Sequence, residues 1–254
     1  MVIRDNYCVS CPVKNVALNS ERGNKLCDFF TKEIENNNLY EHLIAGQTIF
    51  DHNRTPDKFF ILKSGLISLS LDFPDGSRQI LRFVLPGEIF GMEPSGTMRH
   101  HTSAQAVTAS SYCAQPIETL KVLLGGNPEF SARYVELLER DRLILQNSLA
   151  NLGRREALFR VAYLLMELAV RSSGHFPLRV GYVYSIPLVQ RMIADATGLT
   201  VIHVNRTLRR LRSEGYLDHH DGELTVLSWT RLVQLVDIGP ESFAILALFK
   251  ASDQ

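Results

Sequence analysis

The segment that decides the fold class reads GLTVIHVNRTLRRLRSEGYL and covers residues 198–217. Its first glycine favours a turn after a short helical segment over residues 191–196, and the hydroxyl of Thr200 can cap a second helix. At about 100° per residue, the apolar side chains of that second helix fall on one side. They are Val201, Val204, Leu208 and Leu211. The spacing therefore predicts a helix-turn-helix whose second helix buries one face.

The opposite face of the second helix is strongly basic. Arg206 lies almost opposite the apolar side, with Ile202 and Arg209 beside it. Between residues 188 and 213 there are five arginines and one acid, Asp195, a balance of +4 in a chain whose formal net charge is zero. A solvated helix face usually interleaves acids with bases. The pattern predicts insertion into the major groove of double-stranded DNA, where arginine can bond guanine O6 and N7 and other cations can hold phosphates.

The residues that follow read GYLDHHDGELTVL and predict two short strands joined at Asp221–Gly222. A hairpin at this place would form a wing that braces the second helix against the phosphate backbone. We therefore expect a winged helix-turn-helix.

The amino-terminal half of the chain has the pattern of strands. Apolar and polar residues alternate over residues 67–73, a period of two that is typical of a half-buried strand. A turn at Pro74–Gly76 and a second strand over residues 80–84 follow. Similar short strands continue to about Leu120, which predicts an antiparallel sandwich or barrel, and a short helix over residues 24–35 precedes them.

Residues 130–152 contain neither proline nor glycine, and helix-forming residues dominate. Apolar residues recur there at a spacing of three and four, a narrow seam of the coiled-coil kind that predicts a dimer contact. The seam positions are Val135, Leu138, Arg142, Leu145, Leu149 and Leu152. Packing of this helix on its own domain is the alternative. Gly153 then ends the helix, and a helix over residues 154–170 begins a second domain.

Arg142 is the charged residue of the seam. In a symmetric dimer each Arg142 could approach its counterpart across the two-fold axis, which would weaken association and make dimerisation conditional. The alternative is that its side chain reaches out of the seam to Glu139 or to solvent.

Composition places the chain among globular proteins. Of its 254 residues, 45% are hydrophobic and 21% are charged, and no stretch reaches the roughly 18 consecutive apolar residues that span a bilayer. The first residues do not read as a signal peptide. We therefore expect a cytoplasmic protein with no membrane partner, whose four cysteines are mostly free thiols.

Four motifs together resemble the Crp/Fnr superfamily of bacterial transcription regulators. They read GQTIF, LPGEIFG, SAQAVTASSYCAQPIETL and GLTVIHVNRTLRRLRSEGYL. The resemblance covers nearly the whole chain and implies an α+β fold: an N-terminal antiparallel β-roll like a cyclic-nucleotide-binding domain, a long dimerisation helix and a C-terminal winged helix-turn-helix. It also implies a homodimer on palindromic operators with half-sites about one helical turn apart, and contact with RNA polymerase.

On this basis the chain is expected to have five parts. A cysteine-containing tail covers residues 1–22, the β-roll sensor domain covers residues 23–125, and the dimerisation helix covers residues 126–152. The winged helix-turn-helix domain follows over residues 153–235, and a C-terminal extension covers residues 236–254.

The resemblance gives the base-reading role to Arg206. His203 and Asn205 are secondary contacts, which alternatively touch phosphate only. Many family members carry a glutamate where this chain has Ile202, and isoleucine cannot accept a hydrogen bond from cytosine N4, so we expect a different half-site. The expected DNA contacts are Thr200, Ile202, His203, Asn205, Arg206, Arg209 and Arg210.

Family members that bind cyclic AMP hold its phosphate with an arginine placed before Ser-Ala. Thr102 stands at that position here, and a proline after Glu93 alters the neighbouring turn. A buried phosphate without its arginine would be an uncompensated charge. We therefore expect no cyclic AMP binding, with Arg99 as the residue that would have to substitute.

The cysteines are candidates for an oxygen or redox signal. Cys8, Cys11 and Cys113 match positions that resemble iron–sulfur ligands of the Fnr branch, whereas Ala17 stands where that branch has a further cysteine. Cys27 is the remaining thiol and lies among apolar residues of the predicted short helix. A cluster needs four ligands. Three interpretations stay open: an iron–sulfur cluster on these cysteines, a thiol redox switch, and no cysteine function, with a small-molecule signal to the β-roll instead.

Two other classes of function are compatible with parts of this pattern. A β-barrel metal or small-molecule enzyme fused to a helical domain would show turnover and bound metal. However, His100 and His101 are adjacent and would point to opposite faces of a strand, so we interpret them as loop residues. A protein-interaction module would bind its partner independently of Arg206. The expected function is a DNA-binding transcription regulator without enzyme activity.

Overall fold

The computed structural model describes residues 39–92 and 99–237. Within them the chain forms two compact units. The first contains residues 39–72, 83–92 and 99–139, and the second contains residues 73–82 and 140–237. The helix predicted over residues 24–35 lies outside the described residues.

The β-strands of the described chain are β1 Leu39–Leu43, β2 Thr48–Phe50, β3 Lys58–Ser64, β4 Ile67–Asp72, β5 Arg78–Val84, β6 Ile89–Phe90, β7 Ser103–Ala106, β8 Ser110–Pro116, β9 Val183–Ser185, β10 Leu217–His220 and β11 Glu223–Val226. The helices are α1 Ile117–Gly126, α2 Pro128–Arg154, α3 Ala157–Ser173, α4 Gln190–Thr197, α5 Val201–Ser213 and α6 Trp229–Val236.

The first eight strands form two sheets, ordered β1-β8-β3-β6 and β2-β7-β4-β5. The ladders of β8 with β1 and β3, and of β7 with β2 and β4, are antiparallel. Side chains from both sheets meet in an apolar core, in which the rings of Phe50, Phe60 and Phe90 stack and Tyr112 meets Phe60 edge-on. The predicted antiparallel β-domain is therefore confirmed.

A second apolar cluster covers the other face of β3. Phe59 and Ile61 point away from the first core, as successive strand residues must, and contact Leu120 and Leu123 of α1 and Phe130 of α2. Burial on both faces explains why β3 reads as a continuous apolar run rather than an alternating one.

Two helix boundaries differ from the sequence prediction. The strands end at Pro116 rather than near Leu120, because the next residues form α1, whose buried Leu120 and Leu123 have helical spacing. Helix α2 continues through Gly153 to Arg154, since a single glycine lowers helix stability without ending the helix. The next helix consequently begins at Ala157.

The alternation in β4 also differs in part from the prediction. The strand is present, but Ser70 is 1% exposed and Ser68 is equally enclosed, whereas Leu69 and Leu71 are half-buried. Because both faces of β4 are covered, the alternation of apolar and polar residues did not predict which face is more deeply buried. The enclosed Ser68 hydroxyl donates to the Gln105 carbonyl.

Helix α3 is the centre of the second unit. It is buried along most of its length and packs against α4, α5 and α6. Its Arg171 and Glu167 form a fully buried ion pair. Within residues 39–92 and 99–237, none of the helices has the length and hydrophobicity of a transmembrane span.

Candidate nucleic-acid interface

Helices α4 and α5 form the predicted helix-turn-helix. The turn is made by Gly198, whose φ of +65° lies in the left-handed region that glycine adopts freely. Its N–H donates to the Ala194 carbonyl and closes the end of α4. Thr200 then caps α5 by accepting a hydrogen bond from the backbone N–H of His203 at 3.2 Å. The predicted cap is confirmed.

The apolar face of α5 packs against α3. Val204, Leu208 and Leu211 are buried, and Thr207 is buried beside them. Val201 was predicted on the same face, but it is 36% exposed. Full burial of this face begins about one helical turn later, at Val204. The buried residues hold the helix against its own domain and leave the opposite face in solvent.

The exposed face of α5 carries cations of two kinds. Arg206 and Arg209 are exposed and make no hydrogen bond or ion pair with any other residue that the structure describes. Arg210 instead donates to Glu214 at 2.6 Å, and this carboxylate raises the pKa of the guanidinium. Arg212 lies 3.4 Å from Asp218. The positive charges of Arg206 and Arg209 are therefore exposed to solvent and are not paired with an acid among the described residues.

Two further expected DNA contacts border these arginines. His203 is exposed in the first turn of α5, and Asn205 is half-buried. Ile202 is 75% exposed, so it presents an apolar side chain next to the cationic ones. The structure thus brings the expected contact residues of α5 to one surface, while their individual roles stay predictions.

The predicted wing is a hairpin of β10 and β11 joined by Asp221 and Gly222, both with positive φ. A third strand, β9, pairs with β11 and completes the sheet. Sequence reasoning missed β9, because three residues carry little periodicity; the alternating residues Tyr184 and Ile186, both buried, were the available signal. The wing is anchored by His219, which is buried and bonds the Ile186 carbonyl at 3.0 Å.

The predicted seam of α2 is largely exposed in the single chain. Leu149 is 72% exposed, and Val135, Leu138, Arg142 and Leu145 are exposed as well. A row of exposed leucines on a helix is an apolar surface of the kind that a second subunit covers.

Leu152 differs from the rest of the seam. It is half-buried and lies beside Gly198 of the helix-turn-helix. This last seam residue therefore packs within its own chain.

The cysteine prediction falls mostly outside the described residues, where Cys8, Cys11 and Cys27 lie. Cys113 is on β8, half-buried against the cluster around Phe59. Within the described residues, no three or more His, Cys, Asp or Glu side chains are grouped to hold a metal ion. The described part of the chain thus supplies one thiol toward a four-ligand cluster.

The positions considered for a cyclic nucleotide are partly described. Thr102 is half-buried, and Arg99 donates to Asn53 at 3.0 Å on the surface. Glu93 lies outside the described residues. His100 is a loop residue, as predicted, but it is buried with its ring stacked 3.9 Å from that of Phe50.

The β-roll has a cavity of about 430 Å³ beside His100, which sequence reasoning did not find. Its lining combines aromatic rings with side chains of both charges. The residues are Glu41, Ile49, Phe50, Arg54, Thr55, Asp57, Lys58, Phe60, His100 and Tyr112. The Tyr112 hydroxyl donates to the Glu41 carboxylate at 2.5 Å, and burial is the main cause that raises the tyrosine pKa.

Comparison with known proteins supports the same division of the chain. Residues 40–127 match the family model of the cyclic nucleotide-binding domain. Residues 159–235 match the family model of the Crp-like helix-turn-helix domain. The first match covers the β-roll and α1, and the second covers the helix-turn-helix and the wing.

Similar whole chains are transcription regulators. The chain is 28% identical over 235 residues to the nitrogen fixation regulation protein FixK of Bradyrhizobium diazoefficiens, across 91% of this chain and 94% of FixK. It is 27% identical over 188 residues to the transcriptional activator protein FnrA of Stutzerimonas stutzeri, across 73% of this chain and 75% of FnrA. The structure of FixK2 from Bradyrhizobium japonicum has the same fold, with a TM-score of 0.70 at 24% identity over 79% of this chain and 98% of that one. The chain therefore belongs to the Crp/Fnr superfamily of transcription regulators.

Proposed function

We propose that this regulator binds palindromic DNA operators as a homodimer and places α5 of each subunit in the major groove. The observation that carries the proposal is the solvent-facing side of α5, where Arg206 and Arg209 are exposed and have no partner among the described residues. A helix of this width fits the major groove, and arginine is the side chain best suited to guanine there.

The dimer is supported by the exposed seam of α2. Exposed leucines such as Leu138, Leu145 and Leu149 would be buried between two subunits, and each would stabilise the contact by less than the roughly 1.5–3 kcal/mol of a fully exposed leucine, because part of its surface is already covered. Two-fold symmetry would then present two copies of α5 to two half-sites of inverted sequence.

The test is selection of bound duplexes from a random pool, followed by sequencing. We expect enrichment of an inverted repeat, and affinity that falls steeply with salt because phosphate contacts release counterions. If no sequence is enriched at low ionic strength, either with or without oxygen, the proposal is contradicted.

The signal is proposed to enter through the β-roll. Two features support this: the cavity lined by Arg54, Lys58 and His100, which is large enough for a small molecule, and Cys113 on the other face of the same sheet. A cluster would draw its thiolates from Cys113 and from the cysteines at positions 8, 11 and 27, and it would supply an oxygen-sensitive redox centre.

Anaerobic and aerobic preparations separate the two kinds of signal. A cluster gives absorbance at about 400 nm and bound iron in anaerobically prepared protein, and the absorbance and the iron should both be lost in Cys8→Ser. If iron is absent, the cavity is the site to probe, by measuring whether Lys58→Ala alters the response to a small-molecule library.

The regulator is also proposed to contact RNA polymerase and to act in the cytoplasm, as its DNA target requires. FnrA carries the name of a transcriptional activator, which supports the first point. Transcription in vitro from a promoter that contains the selected operator tests it. The relatives reported above are regulators and give no support to the alternative of a β-barrel enzyme.

A further inference from the structure

Ile202 is an apolar side chain in an unusual place. It is 75% exposed in the first turn of α5, whereas Val204, two residues later, is fully buried. Leu149 is also exposed but belongs to the apolar seam of α2, whereas Ile44 and Val180 are exposed outside that seam. Ile202 lies on the face of α5 that carries the exposed Arg206 and Arg209, and it is not part of the apolar seam of α2.

The helix places Ile202 on the same stripe as the DNA-facing arginines. At about 100° per residue, Arg206 is about 40° from Ile202 and Arg209 is about 20° from it around the helix axis. Four residues rise about 6 Å along the helix, and base pairs are spaced about 3.4 Å apart. A base contact of Ile202 would therefore fall one or two base pairs from the base that Arg206 contacts.

The base edges of the major groove offer one apolar group, the C5-methyl of thymine. The other edge groups are hydrogen-bond donors or acceptors, and an isoleucine side chain pressed against them would remove them from water without replacing their hydrogen bonds. The chemistry of Ile202 therefore matches thymine and disfavours cytosine, whose exocyclic amine would be left without an acceptor.

We propose that Ile202 determines part of the operator sequence by packing on the C5-methyl group of a thymine, one or two base pairs from the guanine read by Arg206. The assignment rests on the DNA-binding function proposed above. It defines one position of each half-site as T·A and makes Ile202 a specificity-determining residue, while Arg206 and the phosphate contacts supply most of the affinity.

The experiment uses the full-length protein and the duplex that it enriches from the random pool. Each thymine of a half-site is replaced in turn by deoxyuridine, which removes the C5-methyl group and leaves the base-pairing edge unchanged. A replacement in one half-site should weaken binding about fourfold, the factor that corresponds to about 0.8 kcal/mol for one buried methyl group, and the same replacement in both half-sites should weaken it about sixteenfold. Replacements outside the half-sites serve as controls.

Three variants separate the side chain from the rest of the interface. Ile202→Ala should bind the thymine and deoxyuridine duplexes equally at that position, whereas Ile202→Val, which keeps a β-branched apolar surface, should retain most of the difference. Arg206→Ala should weaken binding to both duplexes by the same factor. Since Ile202 lies on the surface, these substitutions leave the core intact, which circular dichroism checks.

The outcomes distinguish this assignment from the function on which it rests. If wild-type protein enriches an operator but shows no position that responds to deoxyuridine, or if Ile202→Ala keeps the same response, the thymine contact is wrong and DNA binding stands. If Ile202→Ala instead changes the subunit association without changing the selected sequence, Ile202 belongs to a protein contact. If wild-type protein enriches no sequence, both are wrong.

Discussion

The hydroxyl oxygen of Thr200 accepts a hydrogen bond from the backbone N–H of His203 at 3.2 Å and so sets the first residue of α5. Residues four apart in a helix share one face, so Ile202 and Arg206 lie together on the exposed side of α5, whereas Val204 lies on the buried side. The cap therefore fixes where α5 begins, and the helical period fixes which of its side chains face solvent.

Loss of this cap is expected to destabilise the protein modestly. Thr200→Ala should lower the free energy of unfolding by about 1 kcal/mol, because it leaves an N–H at the helix start without its acceptor. Thr200→Ser keeps the hydroxyl and should behave nearly as wild type. Chemical denaturation followed by circular dichroism measures both, and equal stability of the alanine and serine variants would contradict the capping role.

Removal of the Arg206 side chain should affect specific binding more than general DNA affinity. Arg206→Ala is expected to cost about 1–3 kcal/mol on the selected operator and little on unrelated duplexes, since base contacts carry the sequence information. Lys121→Ala, which removes a cation from α1 that pairs with Glu118, is the matched control. An unchanged footprint in Arg206→Ala would favour the protein-interaction alternative.

Substitutions in the α2 seam should change the affinity of the dimer in both directions. Leu149→Glu should dissociate the dimer, because it places a charge on a surface that we expect to be buried. Arg142→Leu should tighten the dimer by removing two like charges near the two-fold axis. Gln146→Glu, on an exposed position beside the seam, controls for the added charge.

Sedimentation velocity over a range of protein concentrations gives the dissociation constants of these variants. If Leu149→Glu stays as associated as Gln146→Glu, the seam does not form the dimer contact. If Arg142→Leu has the same dissociation constant as wild type, the Arg142 side chain reaches out of the seam and does not oppose association.

His219 should make the stability of the protein depend on pH. Burial is the main cause that lowers the pKa of His219 in the folded chain, while its hydrogen bond to the Ile186 carbonyl acts in the opposite direction. The unfolded chain therefore binds a proton at this ring more readily, near its ordinary pKa of 6.5. The contribution of the neutral His219 ring to the free energy of unfolding is fully present above that pH, and it is lost as the pH falls toward the lower pKa of the folded state.

The measurement is the free energy of unfolding at a series of pH values from about 8 to about 5 for wild type and His219→Gln. The variant should lose less stability over this range, whatever its stability at high pH. Parallel curves for the two proteins would show that the ring of His219 does not titrate differently on unfolding.

The buried ion pair of α3 should tolerate joint replacement better than the loss of one partner. Glu167 and Arg171 have 5% and 2% of their side-chain surface exposed, so replacing either one takes a buried ion-pair partner from the other. Glu167→Leu is expected to cost about 3–5 kcal/mol of stability, and adding Arg171→Leu should restore a large part of it. Additive losses in the double variant would indicate that the two charges are not coupled.

Much of the DNA-binding surface was predictable because it depends on local chemistry. The threonine cap, the glycine turn and the 3.6-residue period are read from neighbouring residues, so the positions of Thr200, Gly198 and Arg206 followed from spacing alone. The hairpin at Asp221–Gly222 was predicted for the same reason.

Other features depended on residues distant in the chain. The sequence by itself determined the order of β-domain, long helix and helix-turn-helix, since periodicity and turn residues are properties of short segments. Only the tertiary structure decided that Ser70 is buried while Leu71 is half-buried, that His100 stacks on Phe50, and that β9 joins the wing. These outcomes depend on which surfaces meet, and a contact between distant segments leaves no periodic trace in either one.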